Sequence, residues 1–385
     1  MNSSLSSPEG FSRIAIFLPS LNGGGAERVM VTLANAFAQR GYAVDLVLAV
    51  AEGPYLSQVS ESVRIVDLNA GRVIKALLPL LRYLQRERPV AMLSAMTHAN
   101  VVAILARMLA RVPMRLVVSE RTTISFEVKR AQDIAARLTY GLVPWLYPRA
   151  DGVTVVSKAA AADLVTYARL VPSSVNVIYN PFDLARISQL ANESIPHAWF
   201  GADQPPVVLA IGRLTEAKDY PTLIRAFSKL RVKRSARLLI LGEGELRDSL
   251  EELLVQLKLT ADEVQIPGFV ANPFSYLARC NVFVLSSRWE GLPGTLIEAM
   301  ACGTPVVSTD CPSGPREILA GGRWGSLVPV GDDNALAKAI DTVLSTPPQQ
   351  MPNVRQRAAD FGQENAVDAY INALGLTARN AIETE

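Results

Sequence analysis

Two glutamates stand where a phosphorylated sugar could be held. Glu290 lies in a glycine-rich turn that leads into a predicted helix, and Glu298 follows eight positions later on that helix. The unpaired N–H groups of a helix N-terminus attract phosphate, whereas carboxylates accept hydrogen bonds from hydroxyl groups. The stretch 288–299 is therefore suited to hold a phosphate beside the hydroxyls of a sugar or a ribose.

Two cations in another loop could complete that chemistry. Arg213 and Lys218 follow the predicted strand 207–211, in a loop that begins at Gly212. Arginine and lysine form charge-assisted hydrogen bonds with phosphate oxygens. The pair suits a diphosphate, and the alternative is a solvated basic loop.

An earlier glycine-rich loop, 22–27, follows the first predicted strand. Gly24 and Gly25 allow close backbone approach, and the helix that they open would attract an anion. A phosphate contact is predicted, with a tight turn as the alternative. The dinucleotide-binding spacing fails, because Arg28 stands where its third glycine would be.

The chain has two histidines, His98 and His197. His98 is predicted in the loop after strand 92–95, at the strand end where parallel sheets bind ligands. An active-site contact is expected for it, and a structural histidine is the alternative. His197 falls in a predicted linker, where a structural role is expected.

Short apolar strands alternate with helical patterns, which is typical of parallel sheets covered by helices. A stretch rich in proline and glycine, 185–206, interrupts the alternation and reads as a linker. We expect two doubly wound α/β halves, with ligands in the cleft where the strand ends of the two sheets face each other. The predicted strands are 13–19, 43–49, 92–95, 115–119 and 152–156 before the linker, and 207–211, 237–241, 264–266, 282–285, 305–308 and 326–328 after it.

Composition excludes several classes of protein. A chain of 385 residues with 49% hydrophobic residues is neither disordered nor, at a net charge of +2, built to bind nucleic acid. Three cysteines give no disulfide framework and fit a reducing cytoplasm. The uncharged stretch 89–106 contains polar residues and reads as strand, loop and helix rather than a membrane span.

Charge is unevenly distributed along the chain. Residues 1–190 carry 20 basic and 13 acidic side chains, and residues 191–385 carry 18 and 23. The first half could therefore meet an anionic membrane surface or a phosphorylated substrate; solvated faces are the alternative. The segment 126–147 is basic, aromatic and amphipathic, so it is a candidate for contact with a membrane surface or a core helix with solvated charges.

The segment from Glu290 to Glu298 resembles the E-x7-E signature of retaining glycosyltransferases with the GT-B fold, above all glycosyltransferase family four. The similarity spans about residues 13–335. Further motifs match that family in chain order: G-G-G-A-E-R at 23–28, S-E-R at 119–121, V-V-S at 155–157, N-P-F-D at 180–183, G-R-L at 212–214, K-D-Y at 218–220 and P-G-F-V at 267–270.

This resemblance implies a donor site for a nucleotide sugar. Arg213 and Lys218 would stabilise the leaving diphosphate, Glu290 would hold the sugar ring and Glu298 would bind the ribose. Residues expected to contact the rest of the donor through their backbone are Gly24, Gly25, Gly212, Phe269, Val270, Gly294, Thr295 and Leu296.

The acceptor side is less sharply defined. In related enzymes a histidine near His98 touches the sugar or the acceptor. Glu120 and Arg121 follow another predicted strand and could orient the acceptor, with Glu120 as a candidate base. An acceptor domain is expected at 1–185, with a C-terminal helix at about 360–385 packing back onto it, and a donor domain at 186–359.

The resemblance implies front-face transfer with retention, in which the leaving phosphate accepts the acceptor's proton. The donor is expected to be a UDP-sugar and the acceptor a glycan or polyprenyl-linked saccharide of cell-surface polysaccharide synthesis. Because Arg213 and Lys218 take the place of a metal and no D-x-D motif is present, no cofactor and no metal are expected. A cytoplasmic location is expected, with peripheral contact at the inner face of the membrane. The alternatives are a nucleotide-sugar epimerase of the same architecture and a non-catalytic glycan-binding protein.

Overall fold

The computed structural model describes residues 13–22, 24–131, 133–195, 197–201 and 203–376. The chain divides into two compact units. The first contains Met1–Pro181 and Glu364–Glu385, and the second contains Phe182–Gln363. Each unit is built on its own parallel sheet.

The first unit has a seven-stranded parallel sheet in the order β3-β2-β1-β4-β5-β6-β7. Its strands are β1 (Arg13–Leu18), β2 (Ala43–Leu48), β3 (Val63–Asp67), β4 (Ala91–Ala95), β5 (Arg115–Glu120), β6 (Gly152–Val155) and β7 (Val175–Val177). Its helices are α1 (Gly25–Gln39), α2 (Leu77–Glu87), α3 (Thr97–Ala110), α4 (Ile124–Arg130), α5 (Ile134–Leu146), α6 (Lys158–Ala168) and α15 (Gln363–Ala373).

The second unit has a six-stranded parallel sheet in the order β10-β9-β8-β11-β12-β13. Its strands are β8 (Val207–Ile211), β9 (Arg237–Leu241), β10 (Val264–Gly268), β11 (Val282–Leu285), β12 (Val306–Thr309) and β13 (Ser326–Val328). Its helices are α7 (Leu184–Ala191), α8 (Tyr220–Leu230), α9 (Arg247–Gln256), α10 (Phe274–Leu277), α11 (Gly294–Cys302), α12 (Pro315–Ile318), α13 (Asp333–Ser345) and α14 (Val354–Ala358).

Both faces of the first sheet are covered. Ala15 and Phe17 of β1 belong to one hydrophobic cluster, while Ile14 and Ile16 belong to another. Alternate residues of a strand point to opposite faces, so a continuously apolar strand needs helices on both sides. The predicted pair of doubly wound α/β folds is confirmed.

Helix α15 packs onto the first unit. Its Val367 and Tyr370 lie in the cluster around Ile14, and Arg40, directly after α1, forms ion pairs with Glu364 and Asp368. The predicted helix at 360–385 therefore begins at Gln363 and ends at Ala373. Residues 377–385 lie outside the described residues.

The sequence-based element boundaries were wrong at several places. Strands β3 and β7 were missed, because β3 is largely exposed and β7 has three residues. The predicted linker contains α7, which buries Ile187. The segment 126–147 forms two helices, α4 and α5, rather than one.

None of the helices within the described ranges combines the length and apolar composition that a bilayer crossing needs. The uncharged stretch 89–106 contains β4 and the first part of α3.

Candidate active site

The loops after β8 and β11 are joined side by side. Ser286 Oγ donates a hydrogen bond to the carbonyl of Lys218 over 2.7 Å. The amide of Arg288 donates to the carbonyl of Ala217 over 2.8 Å, and Arg288 Nε lies 3.2 Å from Asp219 Oδ2. Two loops that are far apart in sequence therefore hold each other in a fixed register.

This register brings two predicted site residues into contact. Lys218 Nζ donates to Glu290 Oε1 over 2.6 Å, and the same oxygen accepts a 2.6 Å hydrogen bond from Ser287 Oγ. Ser287 is fully buried, and Thr309 Oγ1 at the end of β12 donates to its carbonyl over 2.6 Å. The loop after β8, the loop after β11 and the end of β12 thus fix the position of one carboxylate oxygen.

Ser287 is a site residue that sequence reasoning missed. It stands two positions after β11 and three before Glu290. Its place at the carboxyl end of a strand was an available signal, but Ser286 beside it has the same chemistry. The contact with Glu290 distinguishes the two serines.

Glycines bring the backbones of the loops after β8 and β9 together. A Cβ on Gly242 would lie 1.9 Å from the carbonyl oxygen of Gly212. A Cβ on Gly212, whose φ is +152°, would lie 3.1 Å from Lys218 Cε. A larger residue at Gly242 would displace the backbone of the β8 loop, and one at Gly212 would crowd the Lys218 side chain. Arg213, the next residue in this loop, is exposed.

Helix α11 begins directly after the loop that contains Glu290. Gly294 is its first residue, and Pro293 occupies the N-cap position. The first N–H groups of a helix have no partner within the helix. The hydroxyl oxygen of Thr295 is buried there without a hydrogen-bond partner. Leu296 packs inward, and Glu298 lies one turn further along, half-buried.

The loop after β10 is exposed at its tip. Phe269 is 81% exposed and Val270 is half-buried. Gly268 has a φ of +93°, and a Cβ there would lie 2.6 Å from Glu243 Oε1. The amide of Gly242 donates to the carbonyl of Gly268 over 2.9 Å, so this loop adjoins the β9 loop.

His98 was predicted to lie in a loop, but it is the second residue of α3. The helix begins immediately after β4 because Met96 adopts a φ of +78° and turns the chain sharply. The side chain of His98 is exposed, while the protein around it lowers its pKa by desolvation. This shift favours the neutral form of the imidazole.

Glu120 is the last residue of β5 and is only 2% exposed. Thr97 Oγ1 and Asn100 Nδ2 on α3 donate to its carboxylate over 3.1 Å and 3.2 Å, and the hydroxyl of Tyr147 donates to it as well. Burial raises the pKa of Glu120 to about 7. This carboxyl group joins the start of α3 to β5 and to the end of α5.

Arg121 lies between two other parts of the first unit. Its guanidinium donates to the hydroxyl of Tyr370 on α15 over 3.1 Å and to Asn180.

Gly24 is the N-cap of α1 and Gly25 is its first residue. Gly23 lies outside the described residues.

Helix α5 presents an apolar stripe to solvent. Ile134 and Trp145 are 76% and 71% exposed, and Leu138 and Leu142 between them are exposed as well. Their spacing of three or four residues places them on one face. Arg137 lies on the same helix.

Among the residues that the structure describes, no group of three or more His, Cys, Asp or Glu side chains could hold a metal ion.

Comparison with known protein families identifies the family of this chain. Residues 23–186 match the family described as Glycosyltransferase Family 4, and residues 205–346 match the family described as Glycosyl transferases group 1. The chain belongs to the family 4, group 1 glycosyltransferases. It is therefore a glycosyltransferase, an enzyme of the class EC 2.4.

Individual relatives agree with this family. The glycosyltransferase is 33% identical over 343 residues to the N-acetylgalactosamine-N,N'-diacetylbacillosaminyl-diphospho-undecaprenol 4-alpha-N-acetylgalactosaminyltransferase of Campylobacter jejuni, covering 86% of this chain and 90% of that protein. It is 28% identical over 370 residues to the lipopolysaccharide core biosynthesis glycosyltransferase LpsE of Rhizobium meliloti, covering 91% and 96%.

Solved structures confirm the GT-B fold. A crystal structure of Anabaena HepE in complex with UDP superimposes on this glycosyltransferase with a TM-score of 0.75 at 22% identity. The match covers 94% of this chain and 99% of that chain.

Proposed function

We propose that this glycosyltransferase transfers a sugar from a UDP-sugar to a lipid-linked saccharide, with retention of the anomeric configuration, during cell-surface polysaccharide synthesis. The observation that carries the proposal is the contact between Lys218 and Glu290, which joins a cation and a carboxylate at the ends of β8 and β11. A group that binds phosphate and a group that binds hydroxyls are thereby placed side by side.

The leaving diphosphate would be held by positive groups from two loops. Arg213 is exposed, and Lys218 lies in the same loop with its Nζ held at Glu290. Both side chains would contact the diphosphate. The start of α11 offers main-chain N–H groups, and the buried Thr295 hydroxyl has no partner until a ligand supplies one. Stabilisation of charge on the leaving group is the main way in which such a site accelerates transfer.

The sugar and the nucleoside would be bound by different groups. Glu290 Oε1 is fixed by Lys218 and Ser287, so Oε2 is the oxygen that would accept from sugar hydroxyls. Glu298 on α11 would bind the ribose. The exposed main chain at Phe269 and Val270 would hold the base.

In the proposed reaction, the bond between the anomeric carbon and the phosphate oxygen breaks. The acceptor oxygen bonds to the same face of that carbon, and its proton passes to the leaving phosphate. No protein nucleophile and no metal are required by this step. His98, at the start of α3, would contact the sugar or acceptor, while the buried Glu120 would position that helix.

The relatives support the lipid-linked acceptor and the structures support the nucleotide. The Campylobacter relative is named for a diphospho-undecaprenol saccharide, and the Rhizobium relative for the lipopolysaccharide core. The HepE structure contains UDP. These ligands are the first to test with this chain.

A lipid-linked acceptor requires the enzyme to work at a membrane surface. The exposed stripe of α5 from Ile134 to Trp145 has the apolar side chains, and Arg137 has the charge, that an anionic interface attracts. We place this stripe against the inner face of the cytoplasmic membrane, as a peripheral contact.

The donor is tested first by thermal denaturation with UDP, GDP, ADP and their common sugars. A ligand at a hundredfold its dissociation constant stabilises a protein by ~2.7 kcal/mol. We expect UDP and one UDP-sugar to raise the melting temperature in EDTA. In the Glu290→Gln variant, we expect the UDP-sugar to stabilise no more than UDP alone does. Stabilisation by another nucleotide alone would refute the UDP assignment.

Transfer itself is tested with a lipid-linked saccharide pool and the donor so identified. The anomeric coupling constant of the product, measured by NMR, reports retention or inversion. Interconversion of the donor without transfer would indicate an epimerase instead.

A further inference from the structure

A basic segment without acids lies between β3 and the end of α2. From residue 68 to residue 86 the chain has four basic residues, Arg72, Lys75, Arg82 and Arg86, and no acidic one. Arg86 forms an ion pair with Glu87. The other three side chains are exposed. A local excess of positive charge therefore remains on this surface.

Apolar side chains are exposed in the same segment. Ile74, in the 3₁₀ turn Val73–Ala76, is 64% exposed, and Leu78 in the first turn of α2 is 58% exposed. They are four residues apart and lie on one side of the chain. Ala76 and Leu80 bury the opposite side in the core, so packing does not require Ile74 and Leu78 to be apolar.

The position of this surface relates it to the proposed acceptor side. The 3₁₀ turn follows the carboxyl end of β3, and α3 follows the carboxyl end of the parallel strand β4. Both the turn and α2 pack against α3, whose second residue is His98. The exposed cations and apolar side chains thus lie at the sheet edge where parallel folds bind ligands.

We propose that this surface binds the diphosphate and the adjoining isoprenoid units of the lipid-linked acceptor, an inference that rests on the proposed function. Arg72 and Lys75 would bind the diphosphate, because two cations three residues apart match an anion with two phosphate groups. Ile74 and Leu78 would contact the hydrocarbon that follows it. Arg82, one turn beyond Leu78, adds positive charge along the same face.

The ligand is distinct from that of the α5 stripe. That stripe presents four large apolar side chains along one helix, which suits insertion into the interfacial region of a bilayer. The surface at 72–82 alternates cations with two apolar residues, which suits one amphiphilic molecule with a diphosphate head.

The test uses farnesyl diphosphate as the probe, with saturating UDP present to occupy the donor site. Binding is measured by isothermal titration below the probe's aggregation concentration. The double variant Arg72→Glu/Lys75→Glu should weaken binding about a hundredfold, because two charge-assisted contacts are lost. The matched control Arg225→Glu/Lys233→Glu makes the same charge change at exposed positions of the second unit and should bind as the wild type does.

Separate arms identify the source of any binding. Farnesol and inorganic pyrophosphate should each bind far more weakly than farnesyl diphosphate, because each satisfies half of the surface. If Arg213→Ala rather than the double variant abolishes binding, the probe occupies the donor site and the inference is overturned. If the double variant loses binding only to phosphatidylglycerol vesicles, the surface is a membrane contact and the inference is likewise overturned.

The outcome is separable from that of the proposed function. Thermal stabilisation by UDP reports the donor site whatever the probe does. If UDP stabilises the protein but the Arg72→Glu/Lys75→Glu variant binds farnesyl diphosphate as tightly as the wild type does, only this inference is overturned. Unchanged melting temperatures would show that the exposed substitutions leave the fold intact.

Discussion

Lys218 and Glu290, 72 residues apart in sequence, form an ion pair in which Nζ lies 2.6 Å from Oε1. The resemblance to family four gave these residues different partners, the donor diphosphate for Lys218 and the sugar for Glu290. If they act as proposed, their contact would couple charge stabilisation on the diphosphate to recognition of the sugar hydroxyls.

The first prediction follows from that coupling. Lys218→Met and Arg213→Ala should each lower kcat roughly a hundredfold, since losing one charge-stabilising donor costs ~3 kcal/mol. The losses of activity in Lys218→Met and in Glu290→Gln should not add up. The double variant Lys218→Met/Glu290→Gln should lose less activity than the two single variants combined, because contacting residues are not independent. Steady-state kinetics of a double-mutant cycle measures this. Simple additivity would show that the ion pair does not persist when the donor binds.

The second prediction concerns Ser287. Ser287→Ala removes one of two hydrogen bonds to Glu290 Oε1, and a hydrogen bond to a charged group is worth ~1.5–3 kcal/mol. We expect kcat/KM for the nucleotide sugar to fall at least tenfold, while inhibition by the nucleoside diphosphate is unchanged because it lacks the sugar.

Ser308 provides the matched control for that variant. It is also fully buried at the end of a neighbouring strand, but its hydroxyl donates to the carbonyl of Thr309 over 2.9 Å. Ser308→Ala should leave the sugar dependence intact. Equal effects of the two substitutions would mean that Ser287 acts only through packing.

Local sequence patterns predicted the sheets better than the site. Strands such as β1 and β8 are short and continuously apolar, and such runs indicate buried parallel strands. Strand β3 carries exposed Arg64 and Ile65 and has no such pattern. The start of α3 was missed because a residue other than glycine, Met96, makes the turn at positive φ.

The contacts of the site could not be predicted from spacing. Glu120 and Tyr147 are 27 residues apart, and nothing in the sequence between them indicates that the Tyr147 hydroxyl donates a hydrogen bond to Glu120. The same holds for Lys218 and Glu290, which only the adjacent positions of β8 and β11 in the sheet bring together. Motifs selected the candidate residues, and the sheet order determined which of them are in contact.

The third prediction is a pH dependence of stability from Glu120. Its pKa is raised by burial from 4.5 to about 7 in the folded protein, so between these values the unfolded chain binds fewer protons than the folded one. The stability of the wild type should therefore fall as pH rises from 4.5 to 7, by ~3 kcal/mol, and level off above 7.

The variant Glu120→Gln is the reference for that measurement. It keeps the shape of the side chain and a carbonyl oxygen for the Tyr147 hydroxyl, but it does not titrate. Urea denaturation at pH 5, 6, 7 and 8 should show the wild type losing stability relative to Glu120→Gln across this window. Parallel stability curves for the two proteins would contradict a neutral Glu120 below pH 7.

The fourth prediction concerns the α5 stripe. Because Leu138 and Trp145 are exposed, Leu138→Ser/Trp145→Ser removes apolar surface from solvent and should leave the free energy of unfolding within about 0.5 kcal/mol of the wild type. Binding to phosphatidylglycerol vesicles should fall severalfold, because insertion of these side chains drives contact with the interface. Val171→Ser, which changes another exposed apolar residue of the same unit, is the control. Vesicle binding that is lost equally in the control, or retained in the double variant, would exclude α5 as the membrane contact.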